Sequence, residues 1–320
     1  MTPIIEVHGL THRYNARPAV EDVSFTVTAG EIFCLLGEQG AGKSTVLRVL
    51  ATLLRPTAGE ARVGGCSVRD DAPGVRRQIG YVPERSPVYA RLTVREHLDF
   101  YVACQGIPIP VRQALVDDLL DLLDLDAQHD TPGSALSRRE RQRLSLARAL
   151  IHDPDVLLLD EPAADLKPLW RYELDAMLHE LHAMGKTIVL ASRQLPAIAA
   201  LPDATVAVMR GGRIVTSGAL DALGHLARAH GRRIQVTVTG AGASARARLH
   251  TLPEIKVEAV AAYAGRTVLD VRCPDDDGVQ AAMVHALVKG GIAVLSVVDQ
   301  GPALDALYHE DTTEAQRARD

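Results

Sequence analysis

One octapeptide constrains this chain more than any other stretch. Gly37-Glu38-Gln39-Gly40-Ala41-Gly42-Lys43-Ser44 has the GxxxxGK[ST] spacing of a phosphate-binding loop. An apolar run, Ile32–Leu36, precedes it, and an amphipathic stretch, Lys43–Leu53, follows, so a strand enters the loop and a helix leaves it. Glycines let the backbone wrap closely enough for N–H groups to point at phosphates, and the helix N-terminus adds a favourable dipole. At these positions Lys43 would neutralise the β- and γ-phosphates and the Ser44 hydroxyl would hold Mg²⁺, with Gly37 to Gly42 and Thr45 completing the nucleotide-binding set. An accidental Gly-rich turn is the plainer reading, and the flanking strand and helix weigh against it. A second Gly-Lys-Thr, Gly185–Thr187, carries Glu180 where the first glycine belongs and is not such a loop.

A second segment complements the first. Asp155-Val-Leu-Leu-Leu-Asp160-Glu161-Pro162 reads as a buried strand that ends in two carboxylates. Asp160 would stand at the sheet's C-terminal edge, where it can hold Mg²⁺, and Glu161 next to it can polarise an attacking water. Alone this would be an ordinary strand end. With the phosphate loop it predicts a nucleotide site built from Lys43, Ser44, Asp160 and Glu161.

The rest of the chain fits an α/β fold. Short apolar runs such as Val156–Leu159 and Thr187–Ala191 alternate with amphipathic helical stretches through the first two-thirds. The runs Ala204–Met209 and Arg213–Thr216 flank Gly211-Gly212, a two-residue hairpin turn. After a polar stretch near Gly224–Arg233, a β-α-β-β-α-β order predicts a small ferredoxin-like module, with strands near Ile234–Val238, Ile255–Ala261, Thr267–Val271 and Ile292–Val298. The predicted layout is a nucleotide-binding domain over 1–224, an accessory α+β domain over 232–310, and a polar tail over 311–320. Of the 320 residues, 47% are hydrophobic and 23% charged, as in a globular protein. The net charge of −5 gives no general signal for nucleic acid, and no apolar stretch approaches a membrane span. No signal peptide is visible, and Cys34, Cys66, Cys104 and Cys273 form no CxxC pair, which predicts buried thiols in a reducing compartment.

With these motifs in hand, residues 4–220 resemble the ATP-binding subunits of ABC transporters. Tyr14 stands where that family stacks an aromatic ring on adenine, and Ile79-Gly-Tyr-Val-Pro83 precedes its Q-loop. Ala135-Leu-Ser137 and Arg141–Arg148 bracket the signature motif, while Leu166 and Pro168 frame the D-loop. The C-terminal module, closing with Ala303–Tyr308, is similar to the extension of the ABC-2 exporter branch, which includes the daunorubicin-resistance type. The resemblance implies a P-loop ATPase domain that binds ATP and Mg²⁺. It also implies a head-to-tail dimer, either a homodimer or a heterodimer with another ABC ATPase, transmembrane permease subunits on separate chains, and a cytoplasmic place at the inner face of the cell membrane.

The departures cluster where that family assembles hydrolysis. Glu84 replaces the Q-loop glutamine, as a further possible Mg²⁺ ligand. The signature reads Leu136-Ser137-Arg138-Arg139-Glu140 instead of LSGGQ. Lys167 takes the D-loop aspartate position, and Arg193 the switch-histidine position. Ser137-x-x-Glu140 still reads as a capping box, so the helix should start normally. The plainer reading of the arginine pair is a disabled phosphate contact, the sharper one an arginine finger across the dimer interface. Together the four positions predict slow or absent turnover. They leave two possibilities beside a working transporter motor: the silent half of a heterodimer, or a non-hydrolysing nucleotide switch. The arginine-rich run from Arg138 to Arg148 is read as a solvated or dimer-facing helix face, not a nucleic-acid surface. His179 and His182, at i, i+3 spacing, lack a third metal ligand. Tyr89, Phe100 and Tyr101 suggest a groove for a partner's helix, with core packing an equal explanation for Phe100.

Overall fold

The structure, a computed structural model, describes residues 2–164, 168–193, 201, 203–223, 231–240, 242–263, 265–274 and 276–302. It divides into two compact units, Met1–Arg193 with Ala200–Ile214, and Gln194–Ala199 with Val215–Asp320.

The first unit is built on a six-stranded sheet, whose last strand runs past the unit's end at Ile214. Its strands are β3 (Ile32–Leu36), β6 (Ile79–Val82), β7 (Val156–Asp160), β8 (Thr187–Ser192), β9 (Thr205–Arg210) and β10 (Arg213–Ala219), in the order β10-β9-β3-β8-β7-β6. The pairs β3–β8, β3–β9, β7–β8 and β6–β7 are parallel. Strands β3, β7 and β8 are buried along their whole length, which is why they read as continuous apolar runs instead of alternating ones. Parallel pairing sends the C-terminal ends of β3, β6, β7, β8 and β9 to one edge, so the loop after β3 and the carboxylates ending β7 meet there. The β9–β10 hairpin turns at Gly211 (φ 56°) and Gly212 (φ 84°), two positive φ values that suit a primed turn.

A second sheet, not predicted from the sequence, has the order β2-β1-β4-β5. Its strands are β1 (Pro3–Tyr14), β2 (Arg17–Thr28), β4 (Ala58–Val63) and β5 (Cys66–Ser67). Its alternating buried residues, among them Ile5, Val7, Val20 and Val23, join Phe33, Leu35, Val46 and Leu158 in one hydrophobic core. Helices α1 (Lys43–Leu50), α2 (Ala72–Gln78), α3 (Val94–Cys104), α4 (Ile109–Leu122), α5 (Arg138–Leu150) and α6 (Pro168–Ala183) complete the unit. Helix α1 stops three residues before the predicted Leu53. Thr52 takes a left-handed φ of 59°, and the Thr52 and Leu53 amides donate back to the Val49 and Arg48 carbonyls, a Schellman closure.

The second unit has the predicted β-α-β-β-α-β order: β11 (Arg232–Thr239), α7 (Gly242–Leu249), β12 (Lys256–Tyr263), β13 (Arg266–Cys273), α8 (Asp277–Lys289) and β14 (Val294–Pro302). Its antiparallel order, β12-β13-β11-β14, is the ferredoxin-like one. Ile234, Val236, Leu269, Val271, Met283 and Leu287 form a core of its own. Residues 224–230 of the predicted boundary, the Ala303–Tyr308 motif and the polar tail lie outside the described residues. Cys34 and Cys273 are buried as predicted. Cys66 is half-buried and Cys104, at the outward-facing end of α3, is exposed, correcting the expectation of four buried thiols.

Candidate nucleotide site

The loop between β3 and α1 folds as its glycines demand. Gly42, which caps α1, has φ 103°, and a Cβ there would lie 2.5 Å from the Ala19 carbonyl oxygen. A Cβ at Gly37 would lie 2.4 Å from the Met209 carbonyl oxygen. The Gly212 amide donates to the Ala41 carbonyl at 3.1 Å, so the β9–β10 turn braces the loop from outside. Glu38, Gln39 and Gly40 form the exposed crest, while Ala41 and Thr45 are buried beneath it. The first amides of α1 have no intrahelical acceptors, which is the property that makes such an end an anion cradle.

Lys43 is buried, and its Nζ donates to the Gly37 and Glu38 carbonyls at 2.7 and 3.0 Å. The same nitrogen lies 3.3 Å from Glu161 Oε1. Burial lowers the Lys43 pKa, and the neighbouring Glu161 opposes that. Ser44 Oγ donates to Asp160 Oδ1 at 2.7 Å. Asp160 is 1% exposed, and its Oδ2 is buried with no hydrogen-bond partner. A buried carboxylate oxygen left in this way beside a hydroxyl fits a divalent cation, a hard ion that prefers oxygen ligands. Ser44 and Asp160 would hold Mg²⁺ and Lys43 the terminal phosphates. Burial raises the Asp160 pKa, with the Ser44 hydrogen bond working against it and the Glu84 charge reinforcing it. Glu84 is thus near enough to Asp160 to act on its charge, and both border one cleft of about 380 Å³, together with Arg85, Arg138, Arg141 and Glu161.

Glu161 closes the site. It sits at φ 50°, unusual for a residue with a side chain, held there by its amide donating to the Ala191 carbonyl at 3.1 Å. Arg193 Nε lies 3.5 Å from Glu161 Oε2, so each carboxylate oxygen has a cationic neighbour. Burial raises the Glu161 pKa, while Lys43 and Arg193 pull it down. A raised proton affinity suits a group that takes a proton from water.

Ser137 and Glu140 form the predicted capping box. Glu140 N donates to Ser137 Oγ at 3.3 Å, and Ser137 N to Glu140 Oε2 at 2.7 Å. The two signature arginines part company. Arg139 ion-pairs with Glu173 of α6 at 2.6 Å, whereas Arg138 borders the cleft and donates to the Ala164 carbonyl at 3.1 Å. Tyr14, 44% exposed at the end of β1, packs edge-on against His12, and Tyr14 and Tyr81 both act on the Arg48 guanidinium of α1, pushing its proton affinity up. Leu166 and Lys167 lie outside the described residues. Phe100 is 43% exposed and packs edge-on to both Tyr89 and Tyr101, so it is a surface aromatic and not a core residue. The His182 ring bonds the Gly30 carbonyl at 2.9 Å, a structural contact. The residues that sequence reasoning missed are Gln142, whose Nε2 donates to the Pro162 carbonyl, and Glu173. The i, i+4 spacing of Arg138 and Gln142 on α5 was the available signal for the first; nothing local marked Glu173.

The ABC transporter family model matches residues 20–164. The daunorubicin resistance ATP-binding protein DrrA3 of Streptomyces coeruleorubidus is 31% identical over 316 residues, covering 99% of this chain and 98% of that protein. The Nod factor export ATP-binding protein I of Ralstonia nicotianae is 37% identical over 217 residues, 68% of this chain and 67% of that one. Among solved structures, cbiO1 of Clostridium perfringens, part of the ABC transporter complex cbiONQ, superposes with a TM-score of 0.64 at 26% identity, over 70% of this chain and 91% of that one. Likeness at such identity along nearly the whole of two chains is decisive: this chain belongs to the ATP-binding subunits of ABC transporters, which bind ATP with Mg²⁺.

Proposed function

We propose that this chain is the nucleotide-binding subunit of an ABC-2-type exporter, working through membrane-spanning subunits on separate polypeptides. Lys43, Ser44 and Asp160 bind Mg-ATP, Glu84 adds an oxygen ligand, and Tyr14 stacks on the base. The subunit closes head-to-tail on a second ATP-binding chain and passes that closure to the permease at the inner membrane face. The carrying observation is the Ser44–Asp160 hydrogen bond with Lys43 beside Glu161, which joins the two halves of a phosphate site. The names of the two relatives, one of export and one of drug resistance, support the direction. Among the described residues no helix is long and apolar enough to cross a membrane, and the family gives that role to other subunits.

In this reading Glu161 polarises the attacking water and Lys43 neutralises charge on the leaving phosphates. The test is phosphate release from the purified chain with Mg-ATP, beside Lys43→Ala and Glu161→Gln. A working motor loses turnover in both, and turnover surviving both would overturn the assignment.

A second reading has its own observation. Arg193 lies against Glu161, opposite Lys43, and a guanidinium has no acceptor with which to copy histidine's hydrogen bonds. On that basis the chain is a non-hydrolysing switch, or the silent half of a heterodimer whose sister supplies an intact signature. Nucleotide binding that requires Lys43 without phosphate release favours this reading. Adding an intact-signature partner then separates the two forms, because only the heterodimer regains turnover.

A further inference from the structure

We infer that Arg138 and Gln142 are positioning residues that act within their own chain, pinning the start of α5 to the turn that carries Glu161. Both stand one helical turn apart on one face of α5, and both donate to carbonyls of that turn, Arg138 to Ala164 at 3.1 Å and Gln142 to Pro162. On the adjacent face, Arg139 and Arg143 share Glu173 of α6, at 2.6 and 3.0 Å, and Arg143 also pairs with Asp124. Four side chains from the first two turns of one helix thus hold the turn that follows Glu161 and the helix beyond it.

The physics of the helix end supports this role. A cation in the first turn faces the positive end of the helix dipole, so Arg138 is unfavourable there unless acceptors lie within its reach. Helical side chains lean toward the N-terminus, which carries the Arg138 guanidinium past the end of α5 to the Ala164 carbonyl. Glycine at this position would have no such reach. Glu161 gains from the grip because its φ of 50° is a conformation that the surroundings must impose. Its own amide is fixed by Ala191, and the Pro162 and Ala164 carbonyls after it are fixed by α5. Any displacement of α5 would therefore be felt at the Glu161 backbone. The grip itself is independent of ATP turnover; only its consequence for hydrolysis rests on the reading of Glu161 given above.

Hydrogen exchange in the full-length chain tests this without nucleotide, on wild type, Arg138→Ala, Arg138→Lys and Gln142→Ala. Loss of a charged donor should speed exchange of amides in the 161–164 turn roughly tenfold in Arg138→Ala, with a smaller rise in Gln142→Ala. Arg138→Lys, still able to donate to a carbonyl, should recover most of the protection. Turn exchange equal to wild type in Arg138→Ala, with ATP-driven dimerisation lost, would overturn the inference and place the guanidinium across the dimer interface. Faster exchange spread through all of α5, with no rescue by lysine, would also overturn it, since Arg138 would then merely support its helix.

Discussion

Burial works against each charge at the centre of this site, and each neighbour restores part of what burial removes. Lys43 is pushed toward losing its proton, Asp160 and Glu161 toward gaining one, and all three are opposed by the partners they touch. Such balance depends on a fixed backbone, and Gly42 is where it is most exposed to change. Gly42→Ala would force a side chain into φ 103° and against a carbonyl oxygen 2.5 Å away, and should cost about 2 kcal/mol or more along with nucleotide binding. Denaturant melts and titration with a fluorescent ATP analogue read both. His97 gives a residue-scale pH prediction. It is 2% exposed, packs between Tyr89 and Tyr101 with Arg148 near, and burial lowers its pKa to about 4. The unfolded chain therefore binds a proton that the folded chain refuses. Stability is full above the ordinary histidine value of about 6.5 and falls as pH drops from there toward 4. Between pH 7 and pH 5.5 the loss should be about 1 kcal/mol, and His97→Phe should remove that part of the pH dependence in urea unfolding. The phosphate-site residues were legible because the glycine spacing and the strand-end carboxylates are local patterns. The partners of Arg138 and Arg193 were not, because 26 and 32 residues separate each from its acceptor and only the tertiary fold brings them together.

Among the elements, α5 shows local chemistry surviving in an altered motif. Its Ser137–Glu140 capping box forms although arginines occupy the two positions between them. Ser137→Ala should destabilise the chain by about 1 kcal/mol in chemical denaturation, the usual worth of such a cap, with Ser137→Asp retaining most of it. The cap was legible since it follows from two residues three apart, Ser137 and Glu140. Helix α1 was overextended because Leu53 and Leu54 continue its apolar pattern, while the left-handed turn at Thr52 carries no glycine to announce it. The β1–β2 pair was overlooked for a different reason. Its buried positions alternate, but bulges at Val7–Leu10 and Leu10–His12 shift the register and blur the period of two.

At the scale of the whole molecule, each unit has a hydrophobic core among its described residues, around Leu35, Val46 and Leu158 in the first and around Val236, Leu269 and Met283 in the second. The ferredoxin-like order was readable because its six elements follow one another with short turns, so sequence order and strand order determine each other. Separate cores imply separable damage. Leu269, fully buried in β13, packs only within the second core, and Leu269→Ala should remove about 2–5 kcal/mol from that unit. Leu158, fully buried in β7, stands two residues before Asp160, and Leu158→Ala should cost a similar amount in the first. The variants should differ in nucleotide binding at temperatures where both remain folded. Leu158→Ala loosens the strand that delivers Asp160 and Glu161 and should weaken Mg-ATP binding several-fold. Leu269→Ala should leave it within about twofold, because none of the phosphate-cradle residues is among the described residues of that core. Exchange protection followed unit by unit, with ATP titrations on both variants, measures the two effects together. A several-fold loss of affinity in Leu269→Ala would mean that the ferredoxin-like unit acts on the nucleotide site despite its separate core.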